Sequence, residues 1–165
     1  MKRMLFGLAF LLVPRVAFAQ SEPPPKHPFR VAAESTSAFG VTGARFFNQL
    51  AGARADYRFS ERFAFGAGLF YTNLKGKDGR VSNALPELSL EYRLPLGSGP
   101  FGIPWRFAGG ALPKNGPTLR WTVGLDANLS ETVALELDPI VPMFWVTRDR
   151  PEVSLDVGAL LKIAF

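Results

Sequence analysis

The sequence predicts an all-β fold: an eight-stranded antiparallel up-and-down barrel that crosses a membrane with its strands. Three observations carry that expectation. The first is the stretch 151–165, which alternates for thirteen residues. Val153, Leu155, Val157, Ala159, Leu161, Ile163 and Phe165 lie on one face, with Glu152, Ser154, Asp156, Gly158 and Lys162 on the other, because successive side chains of a strand point to opposite faces. A half-buried strand of a soluble domain runs about five or six residues, whereas a tilted membrane strand needs about 9–11, apolar toward lipid and polar toward the lumen. The second is that seven more alternating segments precede it, divided by short turns near residues 60, 97 and 131 into hairpin units of roughly 35 residues. The third is an N-terminus built for export.

That N-terminus places Lys2 and Arg3 before the apolar run 4–13 and Ala17-Phe-Ala19 before Gln20, the charged, hydrophobic and small-residue regions of a secretory signal. Arg15, between the apolar run and the cleavage site, departs slightly from the pattern. Residues 1–19 are therefore read as a signal peptide. The run is too short for a membrane anchor. Lys2, Arg3 and Arg15 account for three of the five net positive charges, leaving +2, so the basic pI gives little reason to expect nucleic acid. The chain has no cysteine, which removes disulfides, thiol catalysis and thiolate metal sites. With one histidine besides, no metal cluster is expected.

The proline-rich stretch 20–27 cannot join a central ladder and is read as a tail. A first strand follows over 29–39, then a loop from Gly40 to Asn48. Ala51, Ala53, Ala55, Tyr57 and Phe59 alternate with Gly52, Arg54, Asp56 and Arg58, and Ser60-Glu61 turns the chain into a strand with Phe63, Phe65, Ala67, Leu69 and Tyr71 outward and small Ala64, Gly66 and Gly68 inward. This is a hairpin. Asn73 to Asn83 reads as a long polar loop; Leu88, Leu90, Tyr92 and Leu94 mark the fourth strand, and 95–100 a short turn. Ile103, Trp105 and Phe107 mark a fifth, weakened by Pro104. Leu119 to Leu129 is the cleanest central alternation; Ser130 to Thr132 turns it into Val133, Leu135 and Leu137, after which Pro139 and Pro142 interrupt an apolar run ending at Val146. An even strand number with short turns on one side and longer polar ones on the other fits closure within a membrane. Tyr57, Phe59, Phe63, Tyr92, Trp105 and Phe165 fall near the short-turn end and Tyr71, Trp121, Phe144 and Trp145 near the other, as two interfacial girdles require.

Polar Asp156 and Gly158 followed by Leu161, Ile163 and a terminal Phe165 resemble the C-terminal signature of bacterial outer-membrane β-barrel proteins, the small eight-stranded families in particular. The resemblance implies a Gram-negative type cell envelope, recognition by the outer-membrane assembly machinery through Gly158, Leu161, Ile163 and Phe165, and residence of 28–165 in the outer membrane as a porin-like barrel, with 20–27 in the periplasm.

On the inward faces, Arg30, Arg54, Arg58, Arg62, Arg93, Arg106, Arg120 and Lys162 meet Glu34, Asp56, Glu87, Glu91, Asp126, Glu136, Asp138, Glu152 and Asp156. Such a set makes an ion path, a catalytic carboxylate cluster or a salt-bridged plug. The plug is expected, because an eight-stranded barrel is about as wide as its own side chains and buried charges persist when paired. Arg54, Asp56, Arg58, Glu91, Arg93, Arg120 and Asp126 are expected at its centre. The outer loops carry Arg45, Lys75, Lys77, Arg80, Lys114, Arg148 and Arg150, a basic mouth for lipopolysaccharide phosphates or simply a solvated surface. Phe46, Phe47 and Ile140 to Val146 read as loop residues extending the girdle rather than as a ligand box.

These features predict a non-enzymatic structural or surface-interaction protein that meets membrane lipids and needs no cofactor. A narrow channel for small or apolar solutes is the alternative. A lipid-modifying barrel enzyme stands third, because His27 precedes the first strand, far from the outer-leaflet end where such enzymes pair histidine with serine, and a nucleophile without a positioned base is weak. A soluble lipid-binding barrel would carry its charge on the opposite face.

Overall fold

The computed structural model describes residues 25–42, 48–76, 79–147 and 150–165. The expected signal peptide, residues 20–24 of the tail, and Phe46 and Phe47 lie outside them. Eight strands follow in chain order: β1 Phe29–Thr42, β2 Asn48–Arg58, β3 Phe63–Gly76, β4 Gly79–Pro95, β5 Phe101–Ala111, β6 Pro117–Asn128, β7 Val133–Thr147 and β8 Arg150–Ala164. Each pairs antiparallel with its sequence neighbours, and β1 pairs with β8 to close the barrel. At the seam the Phe165 N–H donates to the Phe29 carbonyl at 2.8 Å. Closure leaves no sheet edge.

The period-two pattern dictates which side chains turn inward. Leu69, Leu90, Phe107, Leu125, Leu137 and Leu161 are exposed on the outer wall, while Asp56, Glu91, Arg106, Arg120, Glu136 and Lys162 are buried in the lumen. The barrel is thus apolar outside and charged inside. Two serine turns at the end carrying the termini are built alike. Phe59 and Ser60 N–H groups donate to the Phe63 carbonyl, and Ser60 Oγ accepts from Arg62 and Phe63. Leu129, Ser130, Thr132 and Val133 repeat that pattern. In the third turn at this end Gly97 adopts a left-handed φ of 65°, which glycine takes without steric cost.

Segments expected as loops are strand where they are described. Of the stretch Gly40–Asn48, β1 takes the residues up to Thr42 and β2 starts at Asn48, and in the polar stretch Asn73–Asn83 residues 73–76 and 79–83 continue the ladder, with Thr72 paired to Asn83 and Gly76 to Gly79. Ladders need backbone hydrogen bonds rather than apolar side chains, so a hairpin that rises past the apolar belt loses its alternation and keeps its pairing. Ile140–Val146 belongs to β7. There the register shifts between Asp138 and Val141, and both Pro139 and Ile140 are exposed, a bulge of one extra residue where proline has no N–H to donate. The bulge reverses the inside-outside phase. Phe144 stays outward, but Trp145, expected in the outer girdle, is 0% exposed inside the lumen. At Pro104 the pairing between β5 and β6 lapses between Gly102 and Trp105, but register and alternation are kept through it.

Candidate functional site: the charged lumen

Register decides which inward charges meet. Arg30 on β1 lies opposite Asp56 on β2 and donates to it through Nε at 2.9 Å and Nη2 at 2.8 Å, and also to Glu91 at 2.9 Å. Arg93 grips Asp126 with Nε and Nη2 at 2.8 and 2.9 Å, the two-pronged geometry that makes guanidinium–carboxylate pairs strong. Arg106 on β5 reaches Glu91 at 3.0 Å, Asp138 at 3.5 Å and, closest, Glu136. Lys162 on β8 meets Glu136 and, at 3.5 Å, Glu91. Glu91 is the hub, since Arg54 also reaches it at 3.6 Å. Toward the far end, Arg54 binds Asp56 at 2.8 Å, and Arg120 joins Glu34 to Glu87, the latter at 2.6 Å. The Arg120 guanidinium also lies 5.0 Å from the Phe70 ring centroid, within cation–π range.

β3 contributes no charge to this belt, and its small residues are what make room. A Cβ added at Gly66 would run into the Asp56 carboxylate, and one at Gly68 into the Phe70 ring. Beyond the belt the lumen changes character. Leu50, Phe70, Leu74, Leu85, Leu112, Met143 and Trp145 form a buried apolar cluster toward the far end. Sequence alternation misses it because inward positions beyond the belt are apolar too, and because the β7 bulge hides the phase of Met143 and Trp145.

Of the expected central residues, Arg54, Asp56, Glu91, Arg93, Arg120 and Asp126 are brought together, joined by Arg30, Glu34, Glu87, Arg106, Glu136, Asp138 and Lys162. Arg58 is not among them. It sits at the terminal rim, where it pairs with Glu61 at 2.5 Å, because it is the last residue before the turn. Arg62, also expected inward, is exposed within that turn. Glu152, Ser154 and Asp156 are buried farther along β8.

The basic residues of the far end are distributed differently. Lys75 and Arg80 lie in the β3–β4 ladder, where Arg80 donates to Asn73; Lys114 occupies the turn after β5 with a left-handed φ of 60°, and Arg150 begins β8. Arg45, Lys77 and Arg148 lie outside the described residues. On β8, Gly158 faces the lumen while Leu161 and Ile163 face outward, and Phe165, just past the end of the strand, is exposed. His27 lies by the terminal mouth. Among the described residues no cluster of three or more His, Cys, Asp or Glu side chains is arranged to hold a metal ion.

A closed barrel of eight antiparallel strands, apolar without and charged within, is the architecture of outer-membrane β-barrels. Solved structures bear that out at the level of the fold. The chain is similar to Neisserial surface protein A (NspA), with a TM-score of 0.60 at 16% identity over 84% of this chain and 97% of that one. It is also similar to a de novo designed transmembrane β-barrel, at 0.53 and 10% over 88% and 100% of the two chains. The N-terminal barrel domain of Pseudomonas aeruginosa OprF gives 0.51 and 12% over 82% and 96%. No family model matches the sequence, and no curated protein sequence matches it either.

Proposed function

We propose that this protein is a non-enzymatic barrel of the bacterial outer membrane, exported by residues 1–19, with a lumen closed to solutes and a role exerted through its surface. The terminal end faces the periplasm and the far end, with its basic residues, faces outward toward lipopolysaccharide phosphates or a partner. The assembly machinery is its partner during biogenesis. One observation carries the reading: Arg106, at 1% exposure, sits among Glu91, Glu136 and Asp138 across the middle of the lumen. In an eight-stranded barrel such side chains consume the available width. A charge placed there stays because its partners do, so the belt is a fixed filling rather than a lining.

A narrow channel for small or apolar solutes is the second reading, favoured by the apolar cluster around Phe70 and Trp145. The charged belt beneath that cluster opposes it, since an apolar solute leaving the cluster meets ionised groups. An acyl-transfer role is less well supported, because His27 lies at the end opposite the expected outer leaflet. Recording from purified protein in a planar bilayer separates these readings. The wild type should be silent, with conductance appearing after Arg54→Ala and Arg93→Ala together. Steady conductance from the wild type would reject closure and promote transport.

A further inference from the structure

The tail ahead of β1 does not run away from the barrel but turns across the terminal mouth. Pro25 is buried and His27 and Pro28 are half-buried, although β1 begins only at Phe29. At the root, the Arg58 N–H donates to the Pro28 carbonyl at 2.7 Å and the Phe165 N–H to the Phe29 carbonyl at 2.8 Å, which ties the segment to β2 and to the residue that follows β8. Farther out, Lys26 reaches Glu131 at 2.5 Å, in the turn between β6 and β7. Since β1 lies beside β8 in the closed ring and β8 beside β7, the tail crosses over the end of β8 to make that contact. Its landing point is itself held, because the Ala164 N–H donates to the Thr132 carbonyl at 2.7 Å. In the matching turn between β2 and β3, Glu61 is taken by Arg58 at 2.5 Å, so of the two turn glutamates Glu131 is the one left for the tail.

Beneath the tail lies a vestibule of about 270 Å³, room for several waters. Lys26 and His27 line it from the tail side and Ala134 and Ala164 from the wall. Its floor is made by the pairs Arg30–Glu91 and Arg93–Asp126, which are the lower face of the belt. Floor and cover are held differently. The floor rests on charge pairs within the lumen, whereas the cover hangs on an ion pair whose side chains are 74% and 76% exposed. Exposed pairs of this kind are weak and are screened by salt. The hydrogen bond and charge of Lys26, with a smaller share from the charge of His27, hold the Glu131 carboxyl below the usual carboxylate range, so it is ionised and available to the tail at neutral pH. The cost of ordering the tail is small as well, because Pro25 and Pro28 bracket Lys26 and His27 and the fixed φ of proline leaves the chain little freedom to lose. A weak pair therefore suffices to hold the segment down, and a small perturbation suffices to release it.

We propose that Pro25–Pro28 is a strap that covers the terminal mouth, and that breaking the Lys26–Glu131 pair lifts it and admits small solutes to the lower face of the belt. With the strap down, the Arg30–Glu91 and Arg93–Asp126 pairs are screened from bulk ions. With it lifted, the vestibule opens to solvent while the belt above stays shut. The device thus sets access from one side without touching the closure of the lumen, and it holds whether or not the lumen conducts.

The chain has no cysteine, so a single introduced thiol reports access. Ala134→Cys places it on the vestibule wall, and Ser98→Cys, exposed in the turn between β4 and β5 at the same end, serves as the reference. Each is reacted with uncharged methyl methanethiosulfonate on the folded full chain in an uncharged detergent at low salt. The thiol at 98 should react several-fold faster than the one at 134. Lys26→Gln or Glu131→Gln should raise the rate at 134 about two- to fivefold, the release of one exposed pair, and leave the rate at 98 unchanged. Sodium chloride at about 1 M should do the same with the rim intact and add nothing to either Gln variant, since a screened pair and a deleted pair are equivalent. The exchange Lys26→Glu with Glu131→Lys should restore the slow rate, which a change in local packing would not. Three results overturn the strap: the thiol at 134 reacting as fast as the reference with the rim intact, neither Gln substitution accelerating it, or the exchanged pair remaining as fast as the single variants.

Discussion

Replacing Arg106 by methionine should destabilise the barrel more than any single change at the rim. Its guanidinium is 1% exposed and serves Glu91, Glu136 and Asp138. Without it Glu91 keeps Arg30 at 2.9 Å and Lys162 at 3.5 Å, and Glu136 keeps Lys162, so Asp138 is the carboxylate left stranded. Removing one partner of a buried pair costs about 3–5 kcal/mol, most of it the burden of the charge left behind. Methionine retains much of the packing volume, which leaves electrostatics as the dominant loss. Adding Asp138→Asn should then recover roughly half of the penalty, about 2 kcal/mol, because the two sites couple through one contact. Urea unfolding of the barrel in vesicles of zwitterionic lipid, followed by tryptophan fluorescence, measures both values. A cost below about 1 kcal/mol for Arg106→Met, the range of a solvated pair, with no recovery in the double variant, would refute a dry, paired belt and imply a water-filled lumen.

Leu125 is 48% exposed on the outer wall of β6, so Leu125→Arg should cost about 2–4 kcal/mol near the bilayer midplane, while Thr122→Ala on the lumen side should cost much less; equal tolerance in a vesicle folding assay would reverse the assignment of faces. Phe165 is 62% exposed beyond the last ladder residue, so deleting it removes little packing, and the truncated chain should be exported normally yet insert slowly and in lower yield into the outer membrane. Normal insertion kinetics in a fractionated pulse-chase would show that Phe165 carries no assembly signal.

The strand pattern was legible because a membrane barrel imposes one rule along its whole wall. Leu119 to Leu129 reads outward and inward without ambiguity, since lipid admits only apolar groups and the lumen collects the polar ones. Height was less legible than face. Arg58 and Arg54 share a parity, but Arg58 adjoins the Ser60 turn and pairs with Glu61 within it, while Arg54 lies four residues deeper, where closure of the ring brings it to Glu34 and Glu91 as well as to Asp56 on its own strand. The Asn73–Asn83 hairpin was hidden because backbone pairing above the lipid leaves no hydrophobic trace. Trp145 was misplaced by a single extra residue at Pro139–Ile140, where alternation changes phase and periodicity cannot say on which side of the proline it resumes. The partners of Glu91 come from β1, β2, β5 and β8, a convergence that only closure of the ring produces.

The most direct test of a closed barrel in the outer membrane is gel migration of the protein from separated envelope fractions, with and without boiling. A closed barrel resists detergent because its ladder has no edge from which to unzip. The expected result is a protein in the outer-membrane fraction that runs as a compact, faster band until boiled and then shifts to its full 18.1 kDa mobility, less any cleaved signal. A protein recovered in the soluble periplasmic fraction, with one mobility regardless of heating, would contradict it.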